Sequence, residues 1–196
     1  MGTAVTTQTM RPLGIAGAWE IAPALHGEPG RLFAELCRFD ELADLVGRPT
    51  RPAQASLAVS TRGSVRGIHY AHGQAKYVTC ISGTVLDIVV DIRVGSPTFG
   101  QWEMVRLDDV DRHATYLQAG LGHGYYVCSE QATLLYLVSR VYVPEAEREI
   151  HPLDPALGIA WPVDGLVLSG RDAAAPTLDA ALAAGMLPHF DQAVSQ

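Results

Sequence analysis

The chain has 196 residues, and its 14 Lys and Arg residues against 21 Asp and Glu residues give a formal net charge of −7. This length predicts one domain, residues 1–196, with one hydrophobic core. So acidic a chain has no overall field for nucleic acid or an anionic membrane, and neither is expected as a partner. Hydrophobic residues make up 48% with no run of 18, which argues against disorder and against a membrane-spanning helix.

The cysteines and the N-terminal residues bear on the cellular location of the protein. Cys37, Cys80 and Cys128 are widely spaced and form no CxxC pair, so we interpret them as buried side chains in a reducing cytoplasm. Residues 1–11 are Thr-rich and lack the apolar segment of a secretory signal. We therefore expect a cytoplasmic protein.

The first fifty residues predict an arm and a helix. Residues 1–12 are interpreted as a mobile or exchanged N-terminal arm. Residues 40–46 predict one short helix that ends at Gly47, and Pro49 and Pro52 break the chain after it.

The middle of the chain has β character. Short runs rich in Val, Ile, Leu and Tyr, separated by turn residues, occur at 56–60, 65–70, 77–81, 84–92, 101–107, 115–117, 124–128 and 133–138. Such spacing predicts an antiparallel sandwich or barrel over about residues 50–145. In the run 84–92, alternation predicts one buried face and two carboxylates, Asp87 and Asp91, on the other.

The tail returns to helix. Thr177 is a suitable N-cap for residues 178–184, and Gly185 ends that helix. We expect a C-terminal helical extension over about residues 172–190.

His69 is the most informative of the seven histidines. It lies in a strand-like run, where a period of two places Val65, Gly67 and His69 on one face and predicts open space beside the imidazole at Gly67. A buried structural histidine remains an alternative. His69 and His72 form an HxxH, but an i, i+3 spacing on a strand separates the rings and no Glu lies nearby, so no metal site is predicted.

Two other residues are candidates for chemistry. Tyr136 lies in an apolar run, where its hydroxyl must find a partner or face a cavity. Lys76 is the single lysine among 14 cationic residues. It is either a chance survivor of an arginine-rich composition or a position that needs a compact ammonium group.

Ordered sequence blocks then identify a family. RGIHY (66–70), QAKYV (74–78), DIVVDIR (87–93), GSPTFG (95–100), GHGY (122–125), WP (161–162) and LSGRD (168–172) occur in order. From about residue 17 to 188 the chain closely resembles the dTDP-4-dehydrorhamnose 3,5-epimerases and their relatives in antibiotic-sugar pathways. The resemblance implies a cupin-type jelly roll, a homodimer, no metal and no organic cofactor. It also implies a dTDP-4-keto-6-deoxyhexose substrate, inverted at C3, C5 or both.

The resemblance assigns the chemistry residue by residue. His69 matches the base and Asp172 its carboxylate partner, which suits an imidazole of unperturbed pKa ~6.5. Lys76 matches the group that stabilises the developing enolate oxygen. Tyr136 matches the proton donor on the opposite side of the sugar, and His123 matches a second active-site histidine that contacts substrate.

Further residues match substrate-binding positions. Arg66 and Arg171 suit a pyrophosphate, which favours bidentate guanidinium groups. Tyr142 matches an aromatic residue near the nucleotide or sugar. The remaining matches are Gln54, Glu35 and Glu147.

Four departures from the family pattern bear on specificity. The block Arg-Gly-x-Phe appears with its first two residues exchanged, as Gly30-Arg31-Leu32-Phe33, so Arg31 and Phe33 are weaker matches. Ser56 replaces an amide, and the loop 70–76 is about three residues shorter than in most relatives. Leu137 and the run 140–142 also differ. These changes favour inversion of a single carbon; a ketoisomerase and a non-catalytic sugar-nucleotide binding protein are the alternatives.

Overall fold

The computed structural model describes residues 8–162 and 165–190 of the chain. Their strands are β1 (Thr9–Pro12), β2 (Ala18–Ala22), β3 (Ala24–Glu28), β4 (Arg31–Glu35), β5 (Gln54–Thr61), β6 (Val65–Ala71), β7 (Lys76–Ser82), β8 (Thr84–Asp91), β9 (Trp102–Asp108), β10 (Ala114–Leu117), β11 (Leu121–Val127), β12 (Gln131–Val138) and β13 (Glu147–Glu149). The helices are α1 (Phe39–Val46), α2 (Gly170–Ala173) and α3 (Leu178–Ala183), with a 3-10 turn at Pro144–Ala146.

The strands form two large sheets and a separate hairpin. One sheet has the order β1-β2-β10-β7-β12-β5, the other β13-β6-β11-β8-β9, and β3 pairs only with β4 among the described strands. The strand pairs are antiparallel. The predicted all-β architecture with short helices before and after the main strands is confirmed.

Three apolar clusters hold these layers together. The cluster between the sheets includes Val78 and Leu134 from one sheet and Val89 and Val127 from the other. A second cluster covers the outer face of the five-stranded sheet, where residues of the C-terminal segment pack on β6 and β8. A third covers the six-stranded sheet, where α1 inserts Leu42. Burial of both faces of a sheet explains why the strands are so apolar.

All eight runs predicted as strands are strands, whereas β1–β4 and β13 were not predicted. The β3–β4 hairpin is mostly exposed, so it lacks the hydrophobic alternation by which a half-buried strand is identified. Within the predicted N-terminal arm, Thr9–Pro12 pairs with β2 of the same chain, and residues 1–7 lie outside the described part.

Local signals fix the helix ends. Gly47 ends α1 with φ 75°, a left-handed conformation that suits glycine. Thr177 Oγ1 accepts a hydrogen bond from the Ala180 amide at 3.2 Å and begins α3. None of the helices in the described residues has the length and apolar character that a bilayer crossing requires.

Strand β8 is buried on both faces, so the expectation that it is buried on one face only is wrong. Asp87 and Asp91 are fully buried, and Val85 and Val89 on the same face belong to the core between the sheets. Asp91 accepts hydrogen bonds from Arg93, and its Oδ2 also accepts from Ser96 and Thr98. A buried carboxylate needs such partners, which explains the polar residues of the block 91–98.

The three cysteines are free thiols, but only Cys80 is fully buried; Cys37 and Cys128 are half-buried. Burial raises the pKa of the Cys37 thiol to about 12. The expectation of full burial therefore holds for Cys80 alone.

Candidate active site

A cavity of about 430 Å³ lies between the two sheets and is lined by residues of both. Nine of the residues proposed from the sequence line it: Gln54, Ser56, Arg66, His69, Lys76, His123, Tyr136, Tyr142 and Glu147. They come from β5, β6, β7, β11, β12 and the segment at 142–147. Residues far apart in the sequence therefore share one space.

An irregularity in β6 decides which of its side chains face this cavity. The register with β11 shifts between His123 and Tyr125, so Arg66 and His69 line the cavity while Val65 and Ile68 pack in the outer cluster. The period-two assignment of Val65 to the face of His69 is therefore wrong.

The expected open space at Gly67 is also wrong. Gly67 has φ +130°, and a Cβ there would lie 2.6 Å from Gly124 Cα. The backbone of β11 fills the space, and only glycine permits the close approach.

His69 is paired with a buried carboxylate. Its Nε2 lies 2.5 Å from Oδ1 of Asp172, and Ser169 Oγ donates to the other oxygen at 2.7 Å. Ser169 is also the N-cap of α2 and accepts from the Asp172 amide. This geometry leaves Nδ1 of His69 for the cavity, and the ring remains about one third exposed.

The charge of Asp172 follows from these contacts. Burial alone would raise its pKa, but the hydrogen bonds from His69 and Ser169 outweigh burial and lower the pKa below 3.8. The carboxylate is therefore ionised at neutral pH and accepts a hydrogen bond at the His69 ring.

A second histidine lies beside the first. His123 is the direct partner of His69 across β6 and β11, and its Nε2 lies 2.7 Å from Oδ1 of Asp87. Thr115 Oγ1 donates to the other oxygen of Asp87 at 2.6 Å. All three side chains are buried, so this pair is held rigidly beneath the cavity.

Lys76 supplies a cation at the cavity wall. It is buried, and its Nζ donates to the carbonyl oxygen of His69 at 3.3 Å. Burial lowers the pKa of Lys76, and the attraction of Glu147 and Asp87 partly offsets that effect. The ammonium group thus sits beside the strand that carries the imidazole.

Tyr136 faces the cavity from the opposite sheet. Its ring meets the His123 ring edge-on, with centroids 5.7 Å apart. Among the described residues the Tyr136 hydroxyl has no hydrogen-bond partner, yet the oxygen is not fully buried. The hydroxyl therefore opens to the cavity. Burial raises the pKa of Tyr136 well above 10, and the neighbouring Tyr125 and Asp87 add to this, so the phenol keeps its proton.

Other lining residues are held by local contacts. Nη1 of Arg66 donates to the carbonyl oxygens of Val65 and Val167 at 2.8 and 2.9 Å. Gln54 donates to Ser56 Oγ at 2.9 Å and accepts from the Tyr142 amide at 2.8 Å.

Four proposed binding residues do not line the cavity. Arg171 makes a bidentate ion pair with Glu149 at 2.9 and 2.7 Å. The β3–β4 hairpin carries Arg31, Phe33 and Glu35. Arg31 donates a hydrogen bond to Glu28, and Glu35 accepts one from Arg38. The HxxH does not converge either, because His72 Nε2 lies 3.3 Å from the Met186 carbonyl oxygen.

Several supporting residues were not proposed from the sequence. Tyr125 lines the cavity, and Asp87, Thr115 and Ser169 hold the histidine pairs. The available sequence signal was a carboxylate, Asp87, in a strongly apolar strand, since a buried carboxylate requires a hydrogen-bond partner. Thr115 and Ser169 gave no sequence signal, because their role depends on contacts across the fold.

The arrangement suits proton transfer at carbon. A carboxylate-backed imidazole and a protonated phenol share one cavity with a buried ammonium. An imidazole removes a weakly acidic proton, a cation stabilises the negative charge that forms, and a phenol delivers a proton.

Comparison with known proteins agrees with this chemistry. Residues 12–180 match the family model described as dTDP-4-dehydrorhamnose 3,5-epimerase. A dTDP-4-dehydrorhamnose 3-epimerase of Streptomyces niveus is 53% identical over 184 residues, which are 92% of this chain and 89% of the relative. A 3,5-epimerase of Mycolicibacterium smegmatis is 49% identical over 92% of this chain and 90% of its own.

Solved structures share the fold. NovW, a 4-keto-6-deoxy sugar epimerase from the novobiocin cluster of Streptomyces spheroides, superposes with a TM-score of 0.94 at 49% identity, covering 98% of both chains. ChmJ, a 3'-monoepimerase from Streptomyces bikiniensis in complex with dTDP-quinovose, gives 0.90 at 46% identity over 93% of this chain and 94% of its own. The chain therefore belongs to the dTDP-4-dehydrorhamnose 3,5-epimerase family.

Proposed function

We propose that the chain inverts a single carbon, C3, of a dTDP-4-keto-6-deoxyhexose. The observation that carries this proposal is the placement of His69, Lys76 and Tyr136 around one cavity, with Asp172 behind the imidazole. The choice of one carbon is supported by two similar proteins, a 3-epimerase and a 3'-monoepimerase, and by the shortened loop between His69 and Lys76.

His69 acts as the base in this proposal. Its Nδ1 takes the proton from C3, the carbon beside the C4 ketone, and the electron pair of the broken C–H bond moves to the ketone oxygen. Asp172 keeps the tautomer correct and stabilises the imidazolium that forms. Positioned acid–base groups of this kind contribute ~10²–10⁴-fold each.

Lys76 and His123 support the enolate. The oxygen gains negative charge as the proton leaves, and a preorganised cation stabilises it without reorganisation. Lys76 is the buried cation available, which gives the single lysine its role. His123 is fixed by Asp87 and contacts the sugar beside it.

Tyr136 acts as the acid. Its hydroxyl faces the cavity from the six-stranded sheet, whereas His69 belongs to the five-stranded sheet. A proton delivered from Tyr136 therefore reaches the face of the sugar opposite to the base, which inverts the carbon. The resulting phenolate is later reprotonated as His69 loses its proton.

We also propose a homodimer that completes the site. Arg31, Phe33 and Glu35 lie on a hairpin that joins neither large sheet among the described strands, and Leu32 and Phe33 are about half exposed. An exposed apolar face with Leu57 and Val59 lies on edge strand β5. A second copy covering these surfaces would bring its three hairpin residues to the cavity.

Subunit mixing tests the dimer. A His69→Ala protein and an Arg31→Ala protein, each weakly active alone, regain activity on mixing if the hairpin serves the partner's cavity. Sedimentation at several concentrations measures the oligomeric state. A monomer at all concentrations, or no recovery in a mixture shown to exchange subunits, contradicts the proposal.

Proton NMR of dTDP-4-keto-6-deoxyglucose in heavy water with the protein tests the proposed reaction. Deuterium at C3 with inversion there, and none at C5, is the expected result. Exchange at both carbons identifies a 3,5-epimerase. A migrated carbonyl identifies a ketoisomerase, and an absence of exchange with retained binding identifies a sugar-nucleotide binding protein; both reject the proposal.

A further inference from the structure

A pair of hydroxyl groups lines the cavity without a part in the proton transfers. Tyr125 follows His123 by two residues on β11, so both side chains project to the same side of the sheet. The Tyr125 hydroxyl and Ser60 Oγ are 3.0 Å apart and hydrogen-bonded. Both residues are buried yet contribute to the cavity wall.

A cation lies beside this pair. Arg66 is the cross-strand partner of Tyr125, so the two side chains are neighbours on the cavity face. Nη1 of Arg66 is held by two backbone carbonyls, while its Nε and Nη2 have no hydrogen-bond partner among the described residues. The guanidinium is thus fixed in place, and its remaining N–H groups can donate hydrogen bonds to a ligand.

The hydroxyl pair can supply a further donor. A chain in which Ser60 donates to Tyr125 leaves the Tyr125 proton free to point into the cavity. Burial raises the pKa of Tyr125, so the phenol remains protonated at neutral pH. A fixed guanidinium beside a protonated phenol is a donor set suited to phosphate oxygens.

The cavity is asymmetric along β5. Glu147 and Tyr142 lie at the end near Gln54, and Arg66 and Tyr125 lie towards Ser60. Glu147 and the Lys76 ammonium offset each other at the Gln54 end, whereas Arg66 donates no hydrogen bond to a carboxylate among the described residues and attracts an anionic group. The charge distribution therefore orients a ligand that carries its negative charge at one end.

We propose that Tyr125, set by Ser60, is a substrate-binding residue that donates a hydrogen bond to the diphosphate beside Arg66. This inference rests on the proposed function, because the diphosphate is the anionic part of the proposed substrate. It adds two hydroxyl residues to the binding set and gives the order sugar at His69 and diphosphate at Arg66.

Two near-isosteric variants, Tyr125→Phe and Ser60→Ala, test the proposal by calorimetric titration with dTDP. Tyr125→Phe weakens dTDP binding about 10-fold, which equals ~1.4 kcal/mol. Ser60→Ala gives a smaller loss, because Tyr125 keeps its own hydroxyl. In turnover, Tyr125→Phe raises KM by a similar factor, as expected when a contact is equal in ground and transition states.

Tyr126→Phe is the matched control. Tyr126 is the next residue of the same strand, and its ring packs in the outer cluster instead of the cavity. It should bind dTDP like the wild type. Thymidine, which lacks the diphosphate, should bind the wild type and Tyr125→Phe equally well.

The outcomes separate this inference from the proposed reaction. Unchanged dTDP affinity in Tyr125→Phe overturns the inference, and so does an equal loss for thymidine. A fall in kcat with unchanged KM also overturns it, because the hydroxyl would then act in the chemistry. Wild-type protein that binds dTDP through Tyr125 yet inverts no carbon refutes the reaction and leaves the subsite standing.

Discussion

The two histidine–carboxylate pairs at the cavity have the same composition but different surroundings. His69 is one third exposed, and its partner Asp172 comes from a helix 103 residues further along the chain. His123 is buried, and its partner Asp87 lies on the adjacent strand β8. The two histidines are direct cross-strand partners on β6 and β11.

Under the proposed function, this difference separates a group that exchanges protons from one that is fixed. An exposed imidazole can take a proton from a ligand and pass it to water. In the buried pair of His123 and Asp87, the second carboxylate oxygen of Asp87 accepts a hydrogen bond from Thr115. This network stabilises one arrangement of the cavity wall. The same two residue types thus serve reactivity at one position and rigidity at the next.

Removing each ring gives the largest expected contrast. His69→Ala should lower solvent exchange at the substrate carbon by ~10²–10⁴-fold, because the base is lost. His123→Ala also removes the proposed sugar contact, but its distinguishing effect should be a stability loss of about 3–5 kcal/mol, because the buried Asp87 loses its partner. Deuterium exchange by NMR and urea unfolding measure the two effects. Full activity in His69→Ala would disprove its role as base.

Tyr136→Phe tests the acid against the base. The ring and its contact with His123 remain, so we expect near-wild-type stability and retained proton exchange at C3. Net inversion should slow by about 100-fold, because the proton donor is missing. Parallel measurement of exchange and inversion checks this. Equal slowing of both would mean that Tyr136 is not the opposing acid.

The pH dependence of stability reports on Asp172. Its pKa is lower in the folded chain than the ~3.9 of an unfolded Asp, so its contribution is present above pH ~4 and is lost as pH falls through the folded pKa. The stability difference between wild type and Asp172→Asn should therefore shrink as pH falls from 5 to 3. Asp179→Asn, on the exposed side of α3, is the control. A difference that is constant with pH contradicts the assignment.

Thr115→Val gives the smallest expected effect and isolates the fixed pair. It removes the hydrogen bond to Asp87 with little change in volume and should cost about 1.5–3 kcal/mol, since the acceptor is charged. Thr79→Val is the control, because Thr79 is equally buried but donates to the neutral carbonyl of His113. It should lose about 1 kcal/mol. Thermal unfolding measures the stability of both variants. An equal loss of stability would mean that the charge of Asp87 does not strengthen its hydrogen bond with Thr115.

The sequence by itself determined most of the fold. Apolar runs and turn residues located the eight central strands, because a strand buried on one or both faces is visible in local composition. Gly47 and Thr177 located helix ends, because caps act through the adjacent backbone. The ordered blocks from Arg66 to Asp172 indicated the family and the residues expected to react.

Only the tertiary structure decided how those residues meet. The register shift at Gly67 turned Arg66 to the side of His69, against a simple two-residue period. Packing across 103 residues brought Asp172 to His69, and strand pairing gave Asp87 its partner. The hairpin with Arg31 does not line the cavity of its own chain. Local periodicity predicts which way a side chain points in a regular strand, but register shifts and long-range packing decide its final direction and what it touches.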